Sequence, residues 1–218
     1  MLRKLAGNQP VKDHLIKLLR EDRLPRSLIF SGPAGVGKRQ FALQLAKGFV
    51  CGSLIEHQGC GECAACSRVQ QLSIPESSER FRDNFKRVFF SDHPDVATVV
   101  PYNRAIFVDA VRDLEREAFF RPFEARARFF VIDEADKMND AAANALLKTL
   151  EEPSETSYIA LVTSRPDSLL PTIRSRCQII RFAPVEMQEV REHLVSRSVF
   201  TGEDAKLAAL LSGGSIGR

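Results

Sequence analysis

Residues 31–39, Ser-Gly-Pro-Ala-Gly-Val-Gly-Lys-Arg, have the spacing of a phosphate-binding loop. An apolar run at 27–30 precedes the loop and an amphipathic run at 40–46 follows it, which predicts the order strand, loop, helix. Glycines in such a loop direct successive N–H groups and the helix N-terminus at phosphate oxygens. An ordinary glycine turn seldom has this context, so the loop predicts an α/β fold that binds a nucleotide.

One position of the loop departs from the full motif. Lys38 supplies the expected point charge for the outer phosphates. The next residue should be a Ser or Thr whose hydroxyl holds Mg²⁺, and here it is Arg39. We therefore expect ATP or ADP to bind weakly or without efficient hydrolysis, and the role of Mg²⁺ stays open. The loop residues predicted to bind nucleotide are Gly32, Pro33, Ala34, Gly35, Val36, Gly37, Lys38 and Arg39.

Four cysteines follow the predicted helix at intervals of eight, two and two residues: Cys51, Cys60, Cys63 and Cys66. Tetrahedral zinc takes sets of four thiolates, and a Cys-x-x-Cys turn with small intervening residues lets two of them reach one ion. Four protein ligands leave no position open for water, so the spacing predicts a structural Zn²⁺ site. The alternative is a group of buried or free thiols.

Carboxylates and hydroxyls follow two later apolar runs. The run at 128–132 leads into Asp133 and Glu134, and the run at 158–162 leads into Thr163 and Ser164. In a parallel sheet, the carboxyl ends of the strands border the ligand crevice. We expect Asp133 to hold Mg²⁺, through water if no loop hydroxyl is available, and Glu134 to polarise an attacking water.

Periodicity and capping residues divide the rest of the chain. Strands are predicted at 27–30, 96–100, 128–132, 158–162 and 178–180, and helices at 8–22, 40–49, 109–119 and 141–150, the first capped by Asn8 and the last by Asn139. A short helix is expected through Leu169 and Ile173. Residues 73–91 mix charges with aromatics and predict a surface insertion, whose Phe side chains pack on the domain or stack on single-stranded bases.

Pro184 marks a predicted boundary. Helices are expected beyond it at 186–199 and 204–211, and residues 213–218 are expected to begin another helix, so we expect the natural chain to continue. With 218 residues and 44% hydrophobic content, the chain suits one large domain and a small one. The net charge of +3 neither requires nor excludes nucleic acid. No signal peptide or membrane span is evident, so we expect a cytoplasmic protein with reduced cysteines.

These motifs together resemble those of bacterial clamp-loader subunits of the AAA+ class, most closely the delta prime subunits of DNA polymerase III. The resemblance extends over essentially the whole chain. It rests on the loop with Lys38, the four cysteines, Asp-Glu-Ala-Asp at 133–136, the run 144–153 and Ser-Arg-Cys at 175–177. The runs 141–144 and 170–178, with Arg39, favour delta prime over the ATP-hydrolysing gamma/tau relatives, whereas Glu134 favours gamma/tau.

The resemblance implies an AAA+ nucleotide-binding domain over 1–183. Its five-stranded parallel sheet would have flanking helices, a zinc module at about 51–66 and an insertion at about 73–91. Residues 184–218 would form the first part of a helical lid domain, and the family's C-terminal collar domain would be absent from this sequence. The implied partners are gamma/tau and delta subunits in a hetero-oligomer, the sliding clamp, and primed DNA through the assembly.

The resemblance also assigns roles to residues that composition and spacing leave unmarked. Arg176 would be an arginine finger that reaches a neighbouring subunit's nucleotide. Thr163 and Ser164 match the first sensor of the family, and residues 214–218 match the second, whose Arg218 would touch the phosphates.

Two readings from other classes stay open. One is an autonomous ATPase, such as the gamma/tau motor or a helicase loader, which Asp133 and Glu134 favour and Arg39 opposes. The other is a zinc-dependent nucleic-acid-binding module. A two-domain DEAD-box helicase is excluded for this sequence, since nothing after Pro184 resembles a second nucleotide fold.

Overall fold

The computed structural model describes residues 1–196 and 202–217. Within these residues one sheet contains the strands β1 (Ser27–Ser31), β2 (Phe89–Phe90), β3 (Val96–Val99), β4 (Arg128–Ile132), β5 (Ser157–Thr163) and β6 (Gln178–Arg181). The strand order is β2-β3-β4-β5-β1-β6, and every neighbouring pair is parallel except β2 with β3. The five predicted strands are confirmed as a parallel sheet, to which β2 adds a sixth, antiparallel edge strand.

The edge strand β2 lies inside the predicted insertion at 73–91. Phe89 and Phe90 pair with Thr98 and Ala97 of β3. Two residues are too few to show a strand period, so only this pairing with a distant segment defines the strand. Phe85, at 2% exposure, packs edge-on against Phe89 at 5.3 Å between ring centroids. At Phe85 and Phe89, the aromatics therefore pack on the domain, which was one of the two interpretations of the insertion.

Helices cover both faces of the sheet. Those described are α1 (Gln9–Arg20), α2 (Lys38–Val50), α3 (Ala64–Gln70), α4 (Val108–Ala118), α5 (Asp140–Glu151), α6 (Pro171–Arg174), α7 (Met187–Ser196) and α8 (Gly202–Leu211). Their bounds agree with the predicted helices to within a few residues; α3 was not predicted, and positions 197–199 of the helix predicted at 186–199 lie outside the described residues. Among the described helices, none has the length and apolarity needed to cross a membrane.

Three predictions about helix ends have different outcomes. Asn139 caps α5 as predicted, because its side chain accepts a hydrogen bond from the Ala142 N–H at 2.9 Å. Asn8 lies at the N-cap position of α1 as predicted, but its side chain makes no capping hydrogen bond; its amide instead makes two hydrogen bonds to the backbone of Ala183, at 2.8 and 3.1 Å. No helix begins at 213–217 either, since Gly213 and Gly214 have positive φ angles of 57° and 82° and form a turn.

The core has two halves, one on each face of the sheet. Alternate residues of one strand belong to different halves, as Phe129 and Phe130 of β4 do. One half also contains residues of α1, α2, α7 and α8, and the other contains residues of α4, α5 and α6. Burial on both faces explains why the central strands read as continuous apolar runs.

A buried carboxylate ties the loop after α4 to the start of β3. Asp95 is fully buried and accepts hydrogen bonds from the N–H groups of Phe123, Glu124 and Ala125, at 2.7 to 2.9 Å. Arg128, also buried, lies 3.7 Å from the same carboxylate. The charge of Asp95 is thus compensated by donors from a segment 28 to 30 residues away.

We predict that Asp95→Asn lowers the free energy of unfolding by about 2–4 kcal/mol, because it removes a buried charge that Arg128 and three N–H groups compensate. Urea denaturation measures the change. Asp83→Asn is the matched control: Asp83 is exposed and its described ion pair is with the nearby Lys86, so the urea midpoint of this variant should stay close to that of the unmodified chain. Equal losses in the two variants would contradict the role given to Asp95.

Candidate functional site

A cavity of about 900 Å³ lies at the carboxyl ends of β1, β4 and β5. Because β5 lies between β4 and β1, the residues that follow these three strands meet at one edge of the sheet. The predicted site residues that line the cavity are Ala34, Gly35, Gly37, Lys38, Arg39, Asp133, Glu134, Thr163 and Ser164. Gly32, Pro33 and Val36 belong to the loop but not to the lining; Arg218 lies outside the described residues.

The loop has the backbone geometry that its glycines predicted. Gly32, Gly35 and Gly37 have φ angles of 148°, 77° and 92°, which side-chain-bearing residues seldom adopt. Gly32 also packs against the backbone of Phe182, and Gly35 packs against the hydroxyl of Ser215. A Cβ atom at either glycine would collide with these neighbours, so packing as well as backbone conformation requires glycine at both positions.

Lys38 begins α2 and is buried in the loop. Its Nζ atom donates hydrogen bonds to the carbonyl oxygens of Gly32 and Pro33, each at 2.6 Å. Burial lowers the pKa of Lys38, and the nearby carboxylates of Asp133 and Asp136 oppose that change. The ammonium group therefore lies inside the loop where phosphate oxygens could replace the two carbonyls as acceptors.

Arg39 lies where the motif would place a hydroxyl, and it faces Asp133. The Nη1 atom of Arg39 is 3.6 Å from the Oδ2 atom of Asp133. Burial raises the pKa of Asp133, and the charge of Arg39 is the largest effect that lowers it. Mg²⁺ requires near-octahedral oxygen ligands; here the expected hydroxyl is missing and a cation already faces the carboxylate. These residues do not fit a directly bound Mg²⁺ ion.

Glu134, the predicted water-polarising residue, lies at the cavity rim. Its backbone has a φ angle of 49°, in the left-handed region, and its side chain is exposed. Its Oε2 atom is 2.7 Å from Nζ of Lys137. An ion pair with Lys137 therefore occupies the carboxylate of Glu134 in this structure.

A third ion pair, between Asp136 and Arg165, fixes the hydroxyl of Thr163. The Thr163 hydroxyl donates to Asp136 at 2.7 Å, and Arg165 donates two hydrogen bonds to the other oxygen of Asp136, at 2.9 and 3.0 Å. Burial alone would raise the pKa of Asp136, but these hydrogen bonds outweigh it and the pKa is lowered. Sequence reasoning missed Arg165. The signal available in the sequence was Asp136, a second carboxylate three residues after Asp133, which needs a cationic partner when it is buried.

Arg176 is exposed and is absent from the cavity lining. Its guanidinium donates to the carbonyl of Thr172 at 2.9 Å and lies 2.7 Å from the carboxylate of Glu151 at the end of α5. The next residue, Cys177, is buried, and burial raises the pKa of its thiol to about 12. Cys177 thus anchors the loop by packing, which leaves Arg176 on the surface.

The segment after α8 closes over the loop. The N–H groups of Ile216 and Gly217 both donate to the carbonyl oxygen of Gly35, at 2.8 and 3.0 Å. Both residues line the cavity. The C-terminal helices are thereby connected to the phosphate-binding loop through one carbonyl group.

The four predicted cysteines form one cluster, with all sulfur atoms within 4.8 Å of one another. The Cys51–Cys63 and Cys60–Cys66 sulfur distances are 3.8 and 4.0 Å, close to the roughly 3.8 Å that tetrahedral Zn–S bonds of about 2.3 Å require. A hydrogen bond from the Cys63 N–H helps to lower the pKa of Cys60 to about 6. The donor set fits a tetrahedral metal ion, and zinc is the ion that it would most suitably hold.

Comparisons with known proteins agree with this geometry. The family model described as "DNA polymerase III, delta subunit" matches residues 7–82 and 77–186. DNA polymerase III subunit delta' of Bacillus subtilis is 32% identical, and the match covers 85% of this chain and 50% of the relative. The delta' subunit of Escherichia coli is also 32% identical, and the match covers 96% of this chain and 58% of the relative. The chain thus spans about half the length of these curated relatives; gamma and tau subunits also match.

Solved structures support the AAA+ fold. A DNA polymerase III gamma subunit-related protein from Thermotoga maritima superposes with a TM-score of 0.54 at 20% identity, covering 92% of this chain and 58% of that one. The α/β architecture with a helical C-terminal region is therefore that of the AAA+ class, as the sequence predicted.

We predict that protein purified without chelator contains about one Zn²⁺ per chain, measured by elemental analysis, because the four sulfur atoms lie within 4.8 Å of one another and two of their separations match tetrahedral Zn–S geometry. Cys63→Ser should lose most of the metal and melt at a lower temperature, since metal binding contributes to folding. Cys177→Ser is the matched control: its thiol lies outside the cluster and its zinc content should not change. Wild-type protein free of zinc would contradict the prediction.

Proposed function

The chain belongs to the DNA polymerase III delta-subunit family, and on that premise we propose that it is a clamp-loader subunit of the delta prime type. It binds a nucleotide without efficient hydrolysis and supplies Arg176 to the ATP site of a neighbouring subunit. Its partners are gamma/tau and delta subunits, and the assembly acts on the sliding clamp and primed DNA.

The position of Arg176 carries the proposal. The arginine is exposed, is held by Glu151 and the Thr172 carbonyl, and does not line the chain's own cavity. A guanidinium in that position does not contact a phosphate bound beside Lys38 of the same chain. It is available to a nucleotide on an adjacent subunit, where an arginine supplied in trans stabilises the charge that develops on the transferred phosphoryl group.

The chain's own cavity supports binding more strongly than hydrolysis. The glycine loop and the helix N-terminus at Lys38 offer N–H donors and positive charge to phosphates. Hydrolysis needs a cation and an oriented water in addition. Arg39 pairs with Asp133, and Glu134 pairs with Lys137, so both carboxylates that the reaction would use are already compensated.

The cysteine cluster has a structural role in this proposal. Four thiols leave no open coordination position on a tetrahedral ion. Cys51 directly follows α2, and Gly59 packs closely against Lys47 of that helix. A bound Zn²⁺ would fix this module on the helix whose other end forms the nucleotide site, and it would supply no chemistry to the nucleotide.

A hydrolysis-competent subunit of the gamma/tau type is the second candidate. Glu134 favours it, because a carboxylate at the cavity rim beside Asp133 is where a hydrolysing enzyme would place its water-polarising group. Turnover by the isolated chain separates the two candidates.

We predict that Arg176→Ala in a reconstituted loader lowers DNA-stimulated ATP hydrolysis by at least about tenfold and lowers clamp loading, whereas Lys38→Ala in the same subunit has a much smaller effect. A finger acts on the neighbour's reaction, while the chain's own site does not turn over. ATP turnover is measured at equal assembly, verified by gel filtration.

Arg174→Ala is the matched control, since this arginine is two residues away and pairs with Asp167. It should retain most of the turnover. A loader in which Lys38→Ala does more damage than Arg176→Ala would show that this subunit is a motor.

We also predict that the isolated chain hydrolyses ATP far more slowly than roughly 1 s⁻¹, the low end for ordinary enzymes. The reason is that position 39 carries an arginine in place of a side chain with a metal-binding hydroxyl. Steady-state phosphate release by purified protein measures the rate, and Lys38→Ala identifies contaminating activity, since a contaminant's rate would survive that change. Turnover near that value that depends on Lys38 would favour the gamma/tau candidate.

A further inference from the structure

We propose that the guanidinium of Arg39 is a built-in replacement for the divalent cation of the nucleotide site, so that this chain binds ATP or ADP independently of Mg²⁺. The inference rests on the proposed nucleotide binding and adds to it the form of nucleotide that the cavity accepts. It would make this chain's nucleotide occupancy insensitive to the metal that its hydrolysing neighbours require.

The position of Arg39 is the first observation. The residue follows Lys38 in the first turn of α2, and both side chains line the cavity. In the full motif this position carries the hydroxyl that ligates Mg²⁺. Arg39 therefore occupies the chain position whose side chain would hold the metal in the full motif.

The partner of Arg39 is the second observation. Asp133 is the carboxylate expected to hold the metal, and its Oδ2 atom lies 3.6 Å from the Nη1 atom of Arg39. An ion pair at this distance compensates a carboxylate of which the side chain is only 19% exposed. The guanidinium of Arg39 thus faces the carboxylate that a Mg²⁺ ion would otherwise face.

Unused hydrogen-bonding capacity is the third observation. The Nε atom of Arg39 is buried and has no hydrogen-bond partner among residues 1–196 and 202–217. Guanidinium groups bind phosphate through several N–H donors in a fixed plane. The contact with Asp133 is made through Nη1, and a guanidinium carries five N–H donors, so Arg39 can keep that contact and offer its other donors to a phosphate oxygen beside Lys38.

The experiment measures the dissociation constants of ADP and ATP by calorimetry, in excess EDTA and in saturating MgCl₂. For the unmodified chain, Mg²⁺ should tighten binding by less than about threefold, because Arg39 already neutralises Asp133. Arg39→Thr restores the motif hydroxyl and frees Asp133, so its binding should become at least about tenfold tighter in Mg²⁺ than in EDTA. Adding Asp133→Asn to that variant should remove most of the gain.

The matched control is Arg112→Thr, the same exchange in an exposed pair on α4 whose nitrogen–oxygen distance to Asp109 is also 3.6 Å. Its binding should stay independent of Mg²⁺, and Arg39→Lys, which keeps a cation, should behave in the same way. Thermal melts verify that each variant is folded.

The outcomes separate the inference from the function on which it rests. Unmodified protein that binds either nucleotide at least about tenfold tighter in Mg²⁺ would overturn the inference and leave nucleotide binding intact. An Arg39→Thr variant that folds and binds but gains no dependence on Mg²⁺ would also overturn it. Failure of both nucleotides to bind the unmodified chain in either buffer would overturn the inference and the nucleotide-binding part of the proposed function together.

Discussion

The parallel pairing of β5 with both β4 and β1 is the constraint on which the site depends. Because β5 runs between these strands, the phosphate-binding loop after β1, the carboxylates after β4 and the hydroxyls at the end of β5 meet at one edge of the sheet. Register sets the relative heights: Ser31 pairs with Thr163, and Ile132 pairs with Leu161. A displaced strand would separate groups that are chemically useful only together.

At this edge, the described charges are compensated from within the chain. Lys38 donates to loop carbonyls, Arg39 faces Asp133, and Arg165 holds Asp136. A nucleotide must replace some of these contacts with its own phosphates, so affinity depends on the difference between two sets of partly buried polar interactions. This balance is the physical basis of the proposal that the site binds a nucleotide without efficient hydrolysis.

Helix α2 connects the two distinctive sequence features of the chain. It begins at Lys38 in the phosphate-binding loop and ends at Val50, directly before Cys51 of the cysteine cluster. Its residues from Phe41 to Val50 are buried, and Gly59 packs against Lys47. A metal ion held by the cluster would therefore stabilise the helix that begins at the phosphate-binding loop.

The sequence by itself determined the order of the main strands and helices, the conformation of the phosphate-binding loop and the grouping of the four cysteines. These features have local signals: apolar periodicity, glycines that permit positive φ angles, and close Cys-x-x-Cys spacing. Only the tertiary structure decided the pairing of β2, the partners of Asn8 and Asp136, the contact of Arg39 with Asp133 and the position of Arg176 outside its own cavity. Each of these depends on residues far apart in the chain, whose meeting follows from how the sheet is ordered and how its two faces are packed.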